Sequence, residues 1–104
     1  MSFQRGDVVL ADLGYVAKVR PVLVVSVPRP DRQRNMIVVA PITTEVRGGE
    51  CEVAFPKPQW MSQPSVVNLV QIVGLDNVRI LRRLGTFPGK MSEIDQGLKR
   101  MLDL

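Results

Sequence analysis

The stretch of sequence that decides the fold is residues 20–26, RPVLVVS, together with residues 38–44, VVAPITT. Both are short runs rich in β-branched residues, and turn-forming residues separate them, which is typical of buried strands. Outward from this pair, similar runs predict strands at 8–12, 21–27, 36–43, 50–55, 66–72 and 77–82. Turn signals fall between them at 6–7, 28–35, 48–49, 56–64 and 74. The pattern predicts a mainly β fold, a small barrel.

The end of the chain changes from a strand pattern to a helix pattern. A Pro-Gly pair at 88–89 ends the last strand run, and Ser92 followed by Asp95 resembles a capping box. Four apolar residues then fall on one helical face: Ile94, Leu98, Met101 and Leu102. We expect one C-terminal helix on the barrel, weakened by Gly97 unless close packing requires a glycine there.

Composition limits the class of protein. The 104 residues, 45% hydrophobic, suit one domain spanning 1–104. A single cysteine, Cys51, excludes an internal disulfide, and the absence of histidine excludes imidazole chemistry and a histidine-based zinc site. We expect no metal and no cofactor. The sequence has neither an apolar signal core nor a run near the roughly 20 residues that span a bilayer, so we expect a cytoplasmic protein with no membrane partner.

The positive charge is concentrated in one segment. The net charge is +4, and residues 18–35 hold five basic side chains against Asp31 alone, so the other residues balance. These five are Lys18, Arg20, Arg29, Arg32 and Arg34. A concentrated basic patch on a compact body predicts a polyanionic partner, and nucleic acid is the commonest.

Several predicted strands are apolar on both faces. Residues 22–25, 36–40 and 66–67 do not alternate with polar residues. The inward face fills the barrel, and a helix of about three turns covers little of the outward one. We therefore expect a symmetric homodimer in which outward strand faces meet, the alternative being that long loops cover them.

Four motifs together resemble the MazF/PemK family of toxin endoribonucleases. They are GDVV at 6–9, RPVLV at 20–24, APITT at 40–44, and LVQI at 69–72 with Leu75-Asp76 after it. The resemblance runs from Gly6 to the terminal helix. It implies an SH3-like barrel related to the gyrase poison CcdB, a homodimer, and metal-independent cleavage of single-stranded RNA that leaves a cyclic phosphate and a 5′-hydroxyl.

The resemblance also implies site residues. Arg20 matches the family's catalytic arginine, which is expected to stabilise the phosphorane, with proton shuttling as a further role. Thr43 matches the family's catalytic hydroxyl. Thr44 and Gln71 are expected to contact the RNA. A cognate antitoxin with an acidic tail is the expected inhibitor, and operator DNA is expected to be contacted only through the antitoxin complex.

Loops are expected to recognise the RNA. Tyr15 and Lys18 lie on the short loop before the second strand, where they suit base stacking and phosphate steering. Arg29, Arg32 and Arg34 lie on a proline-stiffened loop suited to backbone contacts. Packing for the tyrosine and a solubilising role for the arginine loop are the alternatives.

Three positions depart from the family pattern. Val70 stands where many relatives carry an acid, Val73 where they carry arginine, and Asn68 where some carry another basic residue. With no histidine, the general base is open, and Asp12 and Glu45 are the candidates. Val70, Val73 and the lack of histidine favour the alternative, a non-catalytic CcdB-like gyrase poison or a nucleic-acid-binding module on the same barrel. A housekeeping barrel that binds RNA is a third possibility.

Overall fold

The computed structural model describes residues 3–14, 19–28, 36–57 and 61–104. Its strands are β1 Asp7–Asp12, β2 Val19–Val24, β3 Met36–Thr43, β4 Glu52–Phe55, β5 Ser65–Asn68, β6 Val73–Asp76 and β7 Ile80–Thr86. Short 3₁₀ helices cover Leu69–Gln71 and Asn77–Arg79, and one α-helix, α1, covers Met91–Leu102. No helix in these ranges has the length and apolar character needed to cross a membrane.

β3 is the central strand of the sheet. Along one edge it pairs with β2, and along the other it pairs first with β6 and then, at Ile42 and Thr43, with β5. The strand order is β4-β5-β3-β2-β1-β7, and every pair is antiparallel. The described strands do not close into a ring, but their arrangement is barrel-like. The predicted mainly β fold with a C-terminal helix is confirmed.

The two faces of the sheet bury two separate apolar clusters. Leu23 and Ala40 point to the first core, beneath α1 and the β4–β5 pair, whereas Val22 and Val39 point to the second. The first core consists of Val8, Leu23, Val25, Ala40, Ile42, Val53, Phe55, Val67, Leu69, Phe87 and Ile94. The second core consists of Phe3, Val9, Ala11, Val22, Val24, Ile37, Val39, Leu75 and Ile80. Continuous apolar runs therefore reflect burial on both faces.

The predicted strand at 66–72 is wrong in its second half. Asn68 accepts a hydrogen bond from the Val70 N–H (3.1 Å), and the chain turns into a 3₁₀ helix at Leu69. A strand that the sequence did not predict, β6, follows, and Gly74, predicted as a turn, pairs with Val38 inside it. The predicted strand at 77–82 likewise begins as a 3₁₀ helix, which Asp76 caps.

The argument for a dimer from uncovered strand faces is also wrong. Val22, Val24 and Val39 are fully buried within one chain, where they belong to one apolar cluster with Leu75 of β6 and Ile80 of β7. The unpredicted strand therefore contributes to the cluster that buries these valines, although Met36 of the same apolar run is 40% exposed.

The terminal helix starts earlier than the capping box predicts. Its N-cap is Lys90, which makes no side-chain cap hydrogen bond, and Ser92 lies inside the first turn. Asp95 pairs with Arg5 instead, at 2.5 Å between Arg5 Nη2 and Asp95 Oδ1. On the predicted apolar face, Ile94 is buried and Leu98 and Met101 pack on the first core. Leu102 is 52% exposed, so the prediction that it packs on the barrel with the other three is wrong.

Close packing requires Gly97. A Cβ at this position would lie 2.5 Å from Leu69 Cδ1 and 3.2 Å from Val53 Cγ2. Leu69 is fully buried, so it has little room to move aside.

We therefore expect Gly97→Ala to lower the free energy of unfolding by about 1–3 kcal/mol, because overpacking outweighs the gain in helix propensity. Urea denaturation measures the change. Gln96→Ala, at the neighbouring exposed position, serves as the control and should be neutral or stabilising. An equal stabilisation by both substitutions would show that α1 does not dock on Leu69 as described.

Candidate functional site

The alternation of β2 and β3 places Arg20 and Thr43 on one face of the sheet. Val22 pairs with Pro41 and Val24 with Val39. Arg20 and Thr43 each lie two residues beyond the Val22–Pro41 pair on their strands, so alternation puts them on the same face as that pair. Arg20 also pairs with Ala11 of β1, which belongs to the second core. The guanidinium and the hydroxyl therefore stand at the open end of the face that buries the second core.

A cavity of about 670 Å³ lies at this end of the sheet. Its apolar wall consists of Leu13, Pro41, Val73 and Leu75. Its polar lining consists of Arg20, Thr43, Glu45, Arg47, Asn68 and Gln71. From the described residues, two guanidinium groups, one carboxylate, one hydroxyl and two amides thus meet beside an apolar wall. Guanidinium groups with hydroxyl donors suit a phosphodiester.

Arg20 is available to a ligand. Its side chain is half-buried at the start of β2. It makes no ion pair or hydrogen bond with the residues that the structure describes. A guanidinium that is held on a strand end and has no competing carboxylate keeps its donors for an anion that enters the cavity.

A local turn fixes the side chain of Thr43. Its Oγ1 accepts a hydrogen bond from the Glu45 backbone N–H at 3.0 Å. The accepted bond occupies one lone pair of the hydroxyl and leaves its proton to donate elsewhere. Thr43 is half-buried at the end of β3, so the rigid strand sets the position of this donor.

Asn68 and Gln71 form a hydrogen-bonded pair in the lining of the cavity. Asn68 Oδ1 accepts from the Val70 N–H, and Asn68 Nδ2 donates to Gln71 Oε1 at 3.3 Å. One side chain therefore caps the 3₁₀ helix and orients the Gln71 amide. With its oxygen engaged, Gln71 keeps the two N–H donors of its amide for the cavity.

The structure brings together three of the residues that the sequence singled out for the site. Arg20, Thr43 and Gln71 line one cavity. Thr44 is exposed beside Thr43 but does not line it. The other predicted contacts lie outside the described residues: Tyr15, Lys18, Arg29, Arg32 and Arg34.

The structure separates the two candidate general bases. Asp12 Oδ1 accepts from the Gly14 N–H at 2.9 Å, so it shapes the turn after β1, and it does not line the cavity. Glu45 does line it. Its carboxylate pairs with Arg47 at 2.9 Å between Arg47 Nη2 and Glu45 Oε1.

Arg47 is the site residue that sequence reasoning missed. It lies in the loop between β3 and β4, and its side chain is 76% exposed. The available signal was the charged pair Glu45 and Arg47 between the Thr-Thr end of β3 and the Gly-Gly turn. Asn68, noted only as a departure from the family pattern, also belongs to the lining.

A second cavity, of about 380 Å³, opens on the other face of the sheet. It is lined by Leu10, Pro21, Met61, Arg82, Arg83 and Leu84. Leu10 pairs with both Pro21 and Arg82, whereas the next residue, Ala11, pairs with Arg20. Because successive residues of a strand point to opposite faces, the side chains of Leu10 and Arg82 lie on the face opposite to that of Arg20. Among the described residues, the polar lining of this cavity consists of arginines alone, without the carboxylate, hydroxyl and amides of the first cavity.

The chain belongs to the PemK-like, MazF-like toxin family of type II toxin-antitoxin systems, whose model matches residues 4–102. It is 33% identical to "Endoribonuclease MazF6" of Mycobacterium tuberculosis over 114 aligned residues, which cover the whole of both chains. It is equally similar to "Endoribonuclease MazF2" of Mycobacterium bovis.

Solved structures give the same result. The M. tuberculosis toxin MazF-mt6 superposes with a TM-score of 0.81 at 29% identity, over 94% of this chain and 97% of that one. A mycobacterial endoribonuclease in complex with its cognate antitoxin also superposes with a TM-score of 0.81, at 30% identity, over 99% and 97% of the two chains. The family resemblance read from the sequence is confirmed.

Two substitutions at Asn68 separate its two hydrogen bonds. Asn68→Asp keeps the acceptor that caps the Val70 N–H but loses the donor to Gln71, so we expect stability close to that of the parent chain. Asn68→Ala loses both, and we expect it to cost about 1 kcal/mol, which is typical of a lost cap. Urea denaturation of both variants measures the difference. Equal losses for the two would contradict the capping role.

Proposed function

We propose that this chain, residues 1–104 as one toxin domain, is an endoribonuclease that cleaves single-stranded RNA and thereby inhibits translation and growth. The observation that carries the proposal is the meeting of Arg20, Thr43 and Gln71 in one cavity. Family membership supports it, as do relatives named as endoribonucleases.

The proposed reaction is attack of a ribose 2′-hydroxyl on the adjacent phosphorus. The 2′-oxygen bonds to phosphorus as the bond to the 5′-oxygen breaks, which leaves a cyclic phosphate and a 5′-hydroxyl. Arg20 donates to the non-bridging oxygens, where negative charge grows in the phosphorane. The Thr43 hydroxyl donates a hydrogen bond to an oxygen of the same phosphate. This chemistry draws on the protein's own side chains and is proposed to need no metal or cofactor.

Binding of the RNA is proposed to extend from the cavity onto the neighbouring loops. Gln71 presents amide donors, and Arg47 adds a second guanidinium for a flanking phosphate. The apolar wall of Val73 and Leu75 suits the face of a base. Thr44, Tyr15, Lys18, Arg29, Arg32 and Arg34 remain proposed RNA contacts on adjoining segments.

We also propose a cognate antitoxin as the inhibitor of this chain. A mycobacterial structural relative is an endoribonuclease bound to its antitoxin, and a MazE-MazF complex from Deinococcus radiodurans shares the fold at 21% identity. An acidic antitoxin tail would complement the basic cavity and exclude RNA. A homodimer, and operator contact through the antitoxin complex alone, complete the proposed assembly.

Removal of Arg20 tests the activity. Purified protein and its Arg20→Ala variant are incubated with a long single-stranded RNA in excess EDTA, and new ends are mapped. We expect specific breaks with 5′-hydroxyl ends, and a loss of at least about 100-fold in the variant.

Arg82→Ala is the matched control, because it removes the same charge from the opposite face of the sheet. Its cleavage should equal that of the parent chain. RNA that stays intact with the parent protein would overturn the enzyme proposal, and breaks in DNA in the presence of gyrase would then support the CcdB-like alternative.

A further inference from the structure

We propose that Glu45 is the general base of the cleavage reaction and that Glu52 holds the loop that carries it. The inference rests on the proposed ribonuclease function and extends it to a residue that the family pattern does not supply. The position where many relatives carry an acid is Val70, and the chain contains no histidine. Neither of these groups can therefore supply a base for the 2′-hydroxyl.

Glu45 is singled out by the positions of the other carboxylates. It is the carboxylate of the described residues that lines the cavity with Arg20 and Thr43. Asp12 and Asp76 are occupied as turn and cap acceptors. Asp7 is buried, and its Oδ1 lies 3.2 Å from Arg83 Nε. Asp95, on α1, pairs with Arg5.

The contacts of Glu45 leave it able to accept a proton. Its backbone N–H donates to Thr43 Oγ1, which ties the base directly to the residue that is proposed to contact the phosphate. Arg47 Nη2 holds Oε1, whereas Oε2 has no partner among the described residues. The carboxylate is 71% exposed, so RNA and solvent can both reach it. One oxygen is thus fixed and the other is open.

Glu52 anchors this loop through its backbone. The carboxylate of Glu52 accepts from the Arg47 N–H, at 3.1 and 3.0 Å to its two oxygens, and from the Gly48 N–H at 2.8 Å. Gly48 has φ +76°, a left-handed conformation that glycine adopts without strain. Charge-assisted bonds to consecutive N–H groups fix the backbone of the turn that carries Arg47.

The proposed step balances in atoms and charge. The Glu45 carboxylate takes the proton from the 2′-hydroxyl as its oxygen bonds to phosphorus. The P–O5′ bond breaks, and the leaving 5′-oxygen takes a proton from water. The protonated Glu45 then returns its proton to the solvent, so no net charge accumulates on the enzyme.

Three isosteric substitutions test the assignment: Glu45→Gln and Glu50→Gln in the loop between β3 and β4, and Glu52→Gln at the first residue of β4. Each substitution removes one negative charge, so any general electrostatic effect on RNA binding should be the same in all three variants. Glu50 is exposed and does not line the cavity, which makes Glu50→Gln the control. Single-turnover cleavage rates and RNA affinity are measured from acidic to neutral pH on an RNA that the parent chain cuts.

We expect Glu45→Gln to slow cleavage by about 100-fold or more, with RNA affinity retained and the acidic limb of the pH-rate profile lost. Glu52→Gln should slow cleavage less and keep the acidic limb of the pH-rate profile. In this variant Glu45 is still present, but the loop that carries it has lost its anchor. Glu50→Gln should match the parent chain.

Full activity of Glu45→Gln, or an unchanged acidic limb in that variant, would overturn the assignment while leaving the ribonuclease proposal intact. A loss shared equally by all three variants would overturn it as well, since charge alone would then be the cause. Intact RNA with the parent chain would overturn the ribonuclease proposal and this inference together.

Discussion

The pairing register of β2 with β3 is the constraint on which the site depends. Since side chains alternate along a strand, a shift of one residue would turn every side chain of β2 to the opposite face. In the observed register, Val22 and Val24 meet Pro41 and Val39 on the second core. The same alternation carries Arg20 and Thr43 to the open end of that face. Burial of valines therefore determines where the polar groups stand.

Both faces of the central strands are buried, which makes this register costly to change. A slip would exchange the Leu23 side of β2, which packs in the first core, with the Val22 side, which packs in the second. Packed interiors tolerate such changes in shape poorly. A rigid platform of this kind suits a site that positions charge for a transition state, because the donors do not have to reorganise during the reaction.

Much of this was predictable from the sequence, because the strands that build the site carry strong local signals. The predicted bounds of β3, 36–43, agree with the structure, and the Arg20 and Thr43 ends of β2 and β3 line one cavity. The helix and its Ile94 contact follow from a periodic apolar face. These elements are long or flanked by clear turn residues.

What the sequence concealed lies in side-chain hydrogen bonds that a hydropathy pattern does not contain. Asn68 ends β5 by capping a 3₁₀ helix. The hydropathy pattern does not show this cap, so it predicts a single strand over residues 66–72. Glu52, five residues beyond Arg47, organises a loop through backbone bonds. Glu45 enters the cavity through this loop, whereas its position in the sequence left it equivalent to Asp12.

The most direct measurement of the central claim is single-turnover cleavage of an RNA in which the nucleotide just 5′ of the mapped break carries 2′-deoxyribose. A site built from Arg20 and Thr43 for 2′-hydroxyl attack should bind this RNA with its usual affinity and leave that bond uncut. Cleavage of the same bond at the rate of the all-ribose RNA would contradict the account, since the attacking group would then have to come from water or from the protein.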